Sequence, residues 1–139
     1  MITVYFDGLC YPRNPGGAAA YGYLIYRDGR LIQKGCRVVG EGEGMTNNVA
    51  EYEGLMAAAR SLRDIQRGEK IVIKGDSRLV IKQMRGEWQV RSETSRRYVP
   101  RIRGLLQGLD VSFVWVPREE NEEADRLSRM AYERYKTCA

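Results

Sequence analysis

Four acidic residues lie at or near the boundaries of the regular elements that the sequence predicts: Asp7, Glu51, Asp76 and Asp125. Asp7 closes the strand-like run ITVYFD, Asp76 follows the strand-like run IVIKG, and Asp125 lies inside the helical run NEEADRLSRMAYERY. A protein that directs carboxylates inward from separate elements usually holds hard divalent cations, because Mg²⁺ takes oxygen ligands from carboxylates and substrate phosphates. These residues are therefore candidate metal ligands.

Glu51 belongs to a helix predicted over NNVAEYEGLMAAARSL, for which Thr46 or Asn47 is the expected cap. At about 100° per residue, Glu51 falls in line with Leu55 and Leu62, on the side that faces a sheet. An inward carboxylate is costly unless it is paired or coordinated. The alternative is an edge glutamate that reaches solvent.

The elements that position these acids predict a single α/β domain over residues 1–139. Three strand-like runs come first, and the second and third flank Asp28-Gly29, a strong hairpin signal. Helices and strands then alternate to a terminal helix. We expect a mixed five-stranded sheet, an antiparallel meander continued by parallel strands and flanked by helices. In this arrangement Asp7 and Asp76 emerge at one end of the sheet, where the helix of Glu51 also begins.

Composition narrows the class of protein. The net charge of +5 and the pI near 9.2 favour a polyanionic partner. No apolar stretch reaches the roughly 20 residues of a membrane span, and no charged leader precedes the first strand. We therefore expect a cytoplasmic monomer with no membrane contact and no obligate protein partner. The absence of histidine excludes Ser–His and Cys–His nucleophilic catalysis.

The three cysteines show no metal-binding spacing. We expect them to be reduced and to act as small hydrophobic residues, with a Cys36–Cys138 disulfide as the alternative. A basic segment follows the strand of Asp76 and contains Lys82, Arg85, Arg91, Arg96, Arg97, Arg101 and Arg103. It is either a surface for nucleic acid or a solvated helix face.

Five motifs occur in order along nearly the whole chain: FDG, NPGG, TNNVAEYEGL, KGDSRLVIKQ and WVPREENEEADRLSR. Together they resemble the type 1 ribonuclease H family, which has the ribonuclease H-like fold. The resemblance implies a metal-dependent endoribonuclease that cuts the RNA strand of RNA–DNA hybrids and leaves 5′-phosphate and 3′-hydroxyl ends. It implies two Mg²⁺ ions, with Mn²⁺ as a substitute, held by Asp7, Glu51, Asp76 and Asp125, which are also the catalytic residues.

The resemblance also implies a set of residues that contact the hybrid. Side-chain amides and backbone groups suit this task because the 2′-hydroxyl of RNA both donates and accepts hydrogen bonds. The candidates are Gly8, Cys10, Asn14, Asn47, Asn48, Arg78, Arg118 and Asn121. For Asn47 and Asn48, helix capping is the alternative role.

Two departures from the family pattern bear on function. Many relatives carry a histidine in the loop before the last helix, whereas this loop reads VPREENEE and offers Arg118. The segment RGEWQVRSETSRR is too short for the basic handle of some relatives. A broader ribonuclease that also cuts double-stranded RNA, or a non-catalytic module that only binds hybrids, remain the alternatives.

Overall fold

Five strands and four α-helices make up the fold of this computed structural model, which describes residues 1–138 and the side chains as far as Thr137. The strands are β1 Ile2–Tyr11, β2 Gly16–Arg27, β3 Arg30–Gly42, β4 Ile71–Gly75 and β5 Val111–Trp115. The helices are α1 Asn47–Ile65, α2 Arg78–Met84, α3 Glu93–Leu106 and α4 Glu122–Cys138, with a 3₁₀ turn at Arg118–Glu120. The predicted Cys36–Cys138 alternative involves a side chain outside the described residues.

The sheet has the mixed topology that the sequence predicts. Its strand order is β3-β2-β1-β4-β5. The first three strands pair antiparallel, and β4 pairs parallel to both β1 and β5. At the predicted hairpin, Asp28 and Gly29 both have positive φ, 49° and 81°, as a tight two-residue turn requires. The α/β fold prediction is therefore confirmed.

Strand β1 differs from the prediction at its end. Asp7 was expected to close the strand, yet β1 continues to Tyr11. The reason is that the two neighbours of β1 have different lengths: β2 pairs with it from Ile2 to Tyr11, whereas β4 pairs only from Ile2 to Tyr5. Asp7 thus lies beyond the last pair with β4, in the part of β1 that pairs with β2 alone.

Two layers of helix cover the sheet. Helix α1 packs on β1 and β2 and against α3, and buries the core around Val4, Phe6 and Leu55. Helix α4 packs on β2, β3 and β1 through a smaller cluster of Leu24, Ala124 and Leu127. Because alternate residues of a strand face opposite sides, the two clusters lie on opposite faces. None of the helices in residues 1–138 is long and apolar enough to cross a membrane.

Candidate active site

Three of the four predicted acids meet at one point. One carboxylate oxygen each from Asp7, Glu51 and Asp76 lies within 4.8 Å of the other two. Asp7 and Glu51 are almost completely buried, with 6% and 5% of their surface exposed. Glu51 does not reach solvent at an edge, so the alternative considered for it is wrong. The convergence of carboxylates at one end of the sheet is what the sequence predicted for these three residues.

Close contact between β1 and the start of α1 places Glu51 beside Asp7. A Cβ on Gly8 would lie 2.4 Å from the backbone nitrogen of Glu51, so only glycine permits this approach. Thr46, and not Asn47, is the cap of α1, and its Oγ1 accepts a hydrogen bond of 3.1 Å from the amide of Val49. Gly8 therefore acts in the site through its missing side chain.

Asp76 follows β4 and is held from two sides. The Nδ2 of Asn121 donates to Oδ2 of Asp76 at 3.0 Å and to the carbonyl oxygen of Phe6 at 2.8 Å. The indole Nε1 of Trp115 donates to the backbone oxygen of Asp76 at 3.0 Å. These bonds fix both the backbone and the carboxylate of Asp76. Asn121 is 1% exposed and supports Asp76 in this structure, while its contact with substrate stays a prediction.

Asp125 lies at the margin of the cluster. It lines the same cleft of about 320 Å³ as the other three acids, which we call the acid cleft. It does not belong to the group within 4.8 Å, and its Oδ2 accepts a hydrogen bond of 3.0 Å from Nε of Arg129. Asp125 is thus available to a bound cation from the open side of the cleft, while Arg129 supplies positive charge to it in this structure.

Electrostatics make this site unfavourable without a bound cation. Burial, opposed by a hydrogen bond with Glu51 and reinforced by the charge of Asp76, raises the pKa of Asp7 to about 7. Burial and the neighbouring Asp7 raise the pKa of Glu51 well above its ordinary value. In addition, the buried Oε2 of Glu51 has no hydrogen-bond partner in the structure. Carboxylates in this state fit hard divalent cations, which prefer oxygen ligands and supply the missing positive charge.

Four of the predicted hybrid-contacting residues lie at the end of β1, in the turn that follows it and at the start of α1. Asn14 and Asn47 bond reciprocally: Nδ2 of Asn14 donates to Oδ1 of Asn47 at 2.8 Å, and the amide of Asn47 donates to Oδ1 of Asn14 at 3.2 Å. Asn48 is half-buried. Cys10 is a free thiol whose Sγ donates to the carbonyl oxygen of Arg13. Asn47 lines the acid cleft directly.

The predicted set also contains two arginines. Arg118 is exposed and lines the acid cleft. Arg78, at the start of α2, stacks over the ring of Trp115 at 4.3 Å from its centroid. Trp115 therefore orients Arg78 as well as Asp76.

Sequence reasoning missed two residues of this site, Arg129 and Trp115. Arg129 could have been found, because a cation four residues after Asp125 on a helix is within reach of it. Trp115 gave no such signal, since its contacts with Asp76 and Arg78 depend on the pairing of β4 with β5.

Comparisons with known proteins agree with this geometry. Residues 5–131 match the family described as "Reverse transcriptase-like". The chain is 40% identical over 131 residues to a protein of Halobacterium salinarum named ribonuclease HI, covering 94% of this chain. The crystal structure of RNase H1 from the same archaeon superimposes with a TM-score of 0.84 at 38% identity, covering 95% of this chain and 97% of that one.

A further solved structure, LC11-RNase H1 in complex with an RNA/DNA hybrid, superimposes with a TM-score of 0.88 at 30% identity. It covers 97% of this chain and 99% of that one. The curated relatives are longer than this chain. It spans 63% of the halobacterial ribonuclease HI. It also spans 57% of an uncharacterized Bacillus subtilis protein, to which this chain is 32% identical.

Proposed function

Because this chain belongs to the type 1 ribonuclease H family, we propose that it hydrolyses the RNA strand of RNA–DNA hybrids. The observation that carries the proposal is the meeting of Asp7, Glu51 and Asp76 within 4.8 Å, in a site where burial opposes their ionisation. A related protein of the same fold binds an RNA/DNA hybrid, and the net charge of +5 on this chain suits such a polyanion.

Asp7, Glu51 and Asp76 would hold the cations, and Asp125 would complete the ligand set from α4. We propose two Mg²⁺ ions, for which Mn²⁺ can substitute. When bound, such ions supply an activated water and stabilise the negative charge of the leaving oxygen. Hydrolysis of this kind gives 5′-phosphate and 3′-hydroxyl ends, which we propose as the products.

The residues around the acid cleft orient the substrate. Asn47, held by Asn14, presents a side-chain amide at the rim, where it can read a 2′-hydroxyl. Arg118 lies at the rim as a fixed positive charge that attracts the phosphate backbone. It cannot shuttle protons near neutral pH, so it serves a purely electrostatic role. The contribution of Arg118 is tested by Arg118→Ala, for which we expect weaker hybrid binding; unchanged binding and turnover would contradict this role.

One assay tests the proposal against its alternatives. Labelled RNA–DNA hybrid, double-stranded RNA and single-stranded RNA are incubated with the protein and Mg²⁺ or Mn²⁺, with Asp7→Asn as the control. We expect cleavage of the hybrid alone, dependence on the cation, and no cleavage by the variant. Cleavage of double-stranded RNA would favour the broader ribonuclease, and hybrid binding without cleavage would favour the non-catalytic module. Full activity of Asp7→Asn would rule out the carboxylate mechanism.

The cellular context is also a proposal. We propose a cytoplasmic monomer that needs no protein partner for cleavage. Size-exclusion chromatography with light scattering, with and without hybrid, tests the oligomeric state directly.

A further inference from the structure

A second groove begins where the acid cleft ends. It has a volume of about 460 Å³ and runs along α4, between that helix and the end of β1; we call it the α4 groove. Leu9, Asp125 and Arg129 line both the α4 groove and the acid cleft. The two are therefore adjacent, and a strand that leaves the acid cleft on the side of these residues passes the α4 groove.

Aromatic side chains form the wall of the α4 groove. Tyr11 is the last residue of β1. It is 56% exposed, which is a large fraction for an aromatic side chain. Its ring contacts that of Tyr132 edge-on, with 5.2 Å between centroids and 79° between planes. This contact holds the ring of Tyr11 in place while it remains open to solvent, which is the condition for stacking against a nucleobase.

Positive charge accompanies these rings. The side chain of Arg129 is 71% exposed at the junction with the acid cleft, and the exposed Lys136 lies further along α4. Two acids, Asp125 and Glu133, also line the groove, and Asp125 is paired with Nε of Arg129 at 3.0 Å. An exposed aromatic ring flanked by cations is the combination that binds single-stranded nucleic acid.

We propose that the α4 groove binds an unpaired extension of the RNA strand. A base of the extension stacks on Tyr11, and its phosphates contact Arg129 and Lys136. The extension must be unpaired, because the bases of a duplex are stacked on one another and do not offer a face to a side chain. It is assigned to RNA because the strand that crosses the acid cleft is the one that is cut. The inference rests on the proposed function and adds a second contact to the same substrate.

Binding measured by fluorescence anisotropy in EDTA tests this inference without cleavage. The probes are a blunt RNA–DNA hybrid and the same hybrid with an unpaired tail of about ten nucleotides, on the 5′ or 3′ end of the RNA or on the DNA. We expect an RNA tail at one end to tighten binding about tenfold over the blunt hybrid. No gain from either RNA tail, or an equal gain from a DNA tail, overturns the inference.

Variants locate the effect. For Tyr11→Ala we expect the ratio of tailed to blunt affinity to fall to about one, and Tyr11→Phe, which keeps the ring, should retain it. Lys136→Ala should lower the ratio about two- to threefold. Trp88→Ala, an exposed aromatic outside the groove, is the matched control and should keep the wild-type ratio. A wild-type ratio in Tyr11→Ala would contradict the stacking role. Thermal unfolding of each variant shows whether it is folded.

Cleavage of the blunt hybrid, measured in parallel with Mg²⁺, separates this inference from the proposed function. If the blunt hybrid is cut and tails give no advantage, only the α4 groove is misassigned. If the blunt hybrid is not cut at all, the proposed function fails whatever the tails do.

Discussion

Two clusters of polar side chains begin at neighbouring residues of α1, Glu51 and Tyr52, and they differ in whether their hydrogen-bonding groups have partners. The first is the acid cleft. The second, which we call the polar network, joins α1, α2 and α3 and consists of Tyr52, Gln83, Ser92 and Ser95. Both clusters have buried side chains at their centre, Glu51 at 5% exposed in the first and Gln83 at 3% in the second, so burial of these groups does not distinguish them.

In the polar network every group has a partner. The hydroxyls of Tyr52 and Ser95 both donate to Oε1 of Gln83, that of Ser95 at 2.6 Å. Ser92 donates to Oγ of Ser95 at 2.9 Å, and Nε2 of Gln83 donates to the carbonyl oxygen of Gln89 at 3.1 Å. Neutral groups that satisfy one another in this way stabilise a fold and have no capacity left for a ligand.

In the acid cleft the reverse holds. It contains only carboxylates at its centre, Oε2 of Glu51 lacks a partner, and the pKa of Asp7 is raised to about 7. Native proteins tolerate such unfavourable clusters mainly at functional sites. The polar network therefore stabilises the fold, whereas the acid cleft is the candidate site of chemistry. Substitutions that remove one member of each cluster test this difference.

The largest expected effect is loss of cleavage in Glu51→Gln. The variant keeps the shape of the side chain but removes a cation ligand, and we expect the cleavage rate to fall by at least about 10³-fold, or about 4 kcal/mol. Without cations at pH 8 we expect the same variant to have a higher free energy of unfolding, because it lacks an acid whose ionisation is opposed by burial and by the neighbouring Asp7. Single-turnover kinetics and urea unfolding measure the two effects.

Glu53→Gln is the matched control for this prediction. Glu53 lies on the same helix but accepts a hydrogen bond from the hydroxyl of Tyr98 and takes no part in the acid cleft. We expect its cleavage rate to stay within about threefold of wild type, since no reacting group is removed. A comparable loss of rate in both variants would show that α1 as a whole, and not the carboxylate of Glu51, is what cleavage requires.

The second effect is a pH dependence of stability in the metal-free protein. The pKa of Asp7 is about 7 in the folded state and 3.8 in its ordinary state, so the folded state binds more protons between these values. The contribution of Asp7 to the free energy of unfolding is therefore fully present below about pH 4 and is lost as the pH rises to about 7. The loss is at most about 4 kcal/mol, since each pKa unit corresponds to about 1.4 kcal/mol. Glu51 acts in the same direction.

Urea unfolding at a series of pH values, in EDTA and in Mg²⁺, measures this dependence. We expect the free energy of unfolding to decrease from pH 4 to 7 in EDTA, and Mg²⁺ to restore stability at pH 7 and above because it binds the ionised carboxylates. Asp7→Asn should flatten the decrease. A free energy that rises over this range in EDTA would mean that the folded state does not raise the pKa of Asp7 and Glu51.

The third effect is destabilisation by Gln83→Leu. The substitution keeps the volume nearly constant but removes the shared acceptor of the Tyr52 and Ser95 hydroxyls, only one of which can then donate to the other, 3.1 Å away. We expect a loss of about 2 to 3 kcal/mol in the free energy of unfolding, since unsatisfied buried groups are costly. The rate of bound hybrid cleavage should change little, because no group of the acid cleft is touched. An unchanged free energy of unfolding would mean that the polar network does not stabilise the fold.

How much of this was predictable from sequence differs between the clusters. Helical periodicity places Glu51 on the inward side of α1, and the strand-like runs place Asp7 and Asp76 at one end of the sheet. The centre of the acid cleft could therefore be predicted. The extension of β1 past Asp7 could not, because it depends on the unequal lengths of its neighbours. Nor could the bond from Asn121 to the carbonyl of Phe6, which joins residues 115 positions apart. Contacts of this kind need the assembled fold.

The polar network was not predicted at all, and the physical reason is its composition. Tyrosine, glutamine and serine occur on any helix surface, so their types indicate nothing, whereas an acid on an apolar helix face is an anomaly that demands an explanation. Sequence reasoning therefore finds the cluster that violates the rules of burial and misses the one that obeys them.

The smallest expected effect concerns the basic surface above the polar network. Gln83 bonds to Gln89 and Ser92 caps α3, so the network fixes the segment that carries the exposed Arg96. We expect Arg96→Glu to weaken hybrid binding a few-fold and to reduce the slope of log affinity against log salt concentration by about one, if Arg96 contacts a phosphate. Arg30→Glu, an exposed arginine on the β2–β3 hairpin, is the control for net charge. An equal change of slope in both variants would mean that Arg96 acts only through net charge. The basic segment would then be a solvated helix face, and the polar network would support the fold and not hybrid binding.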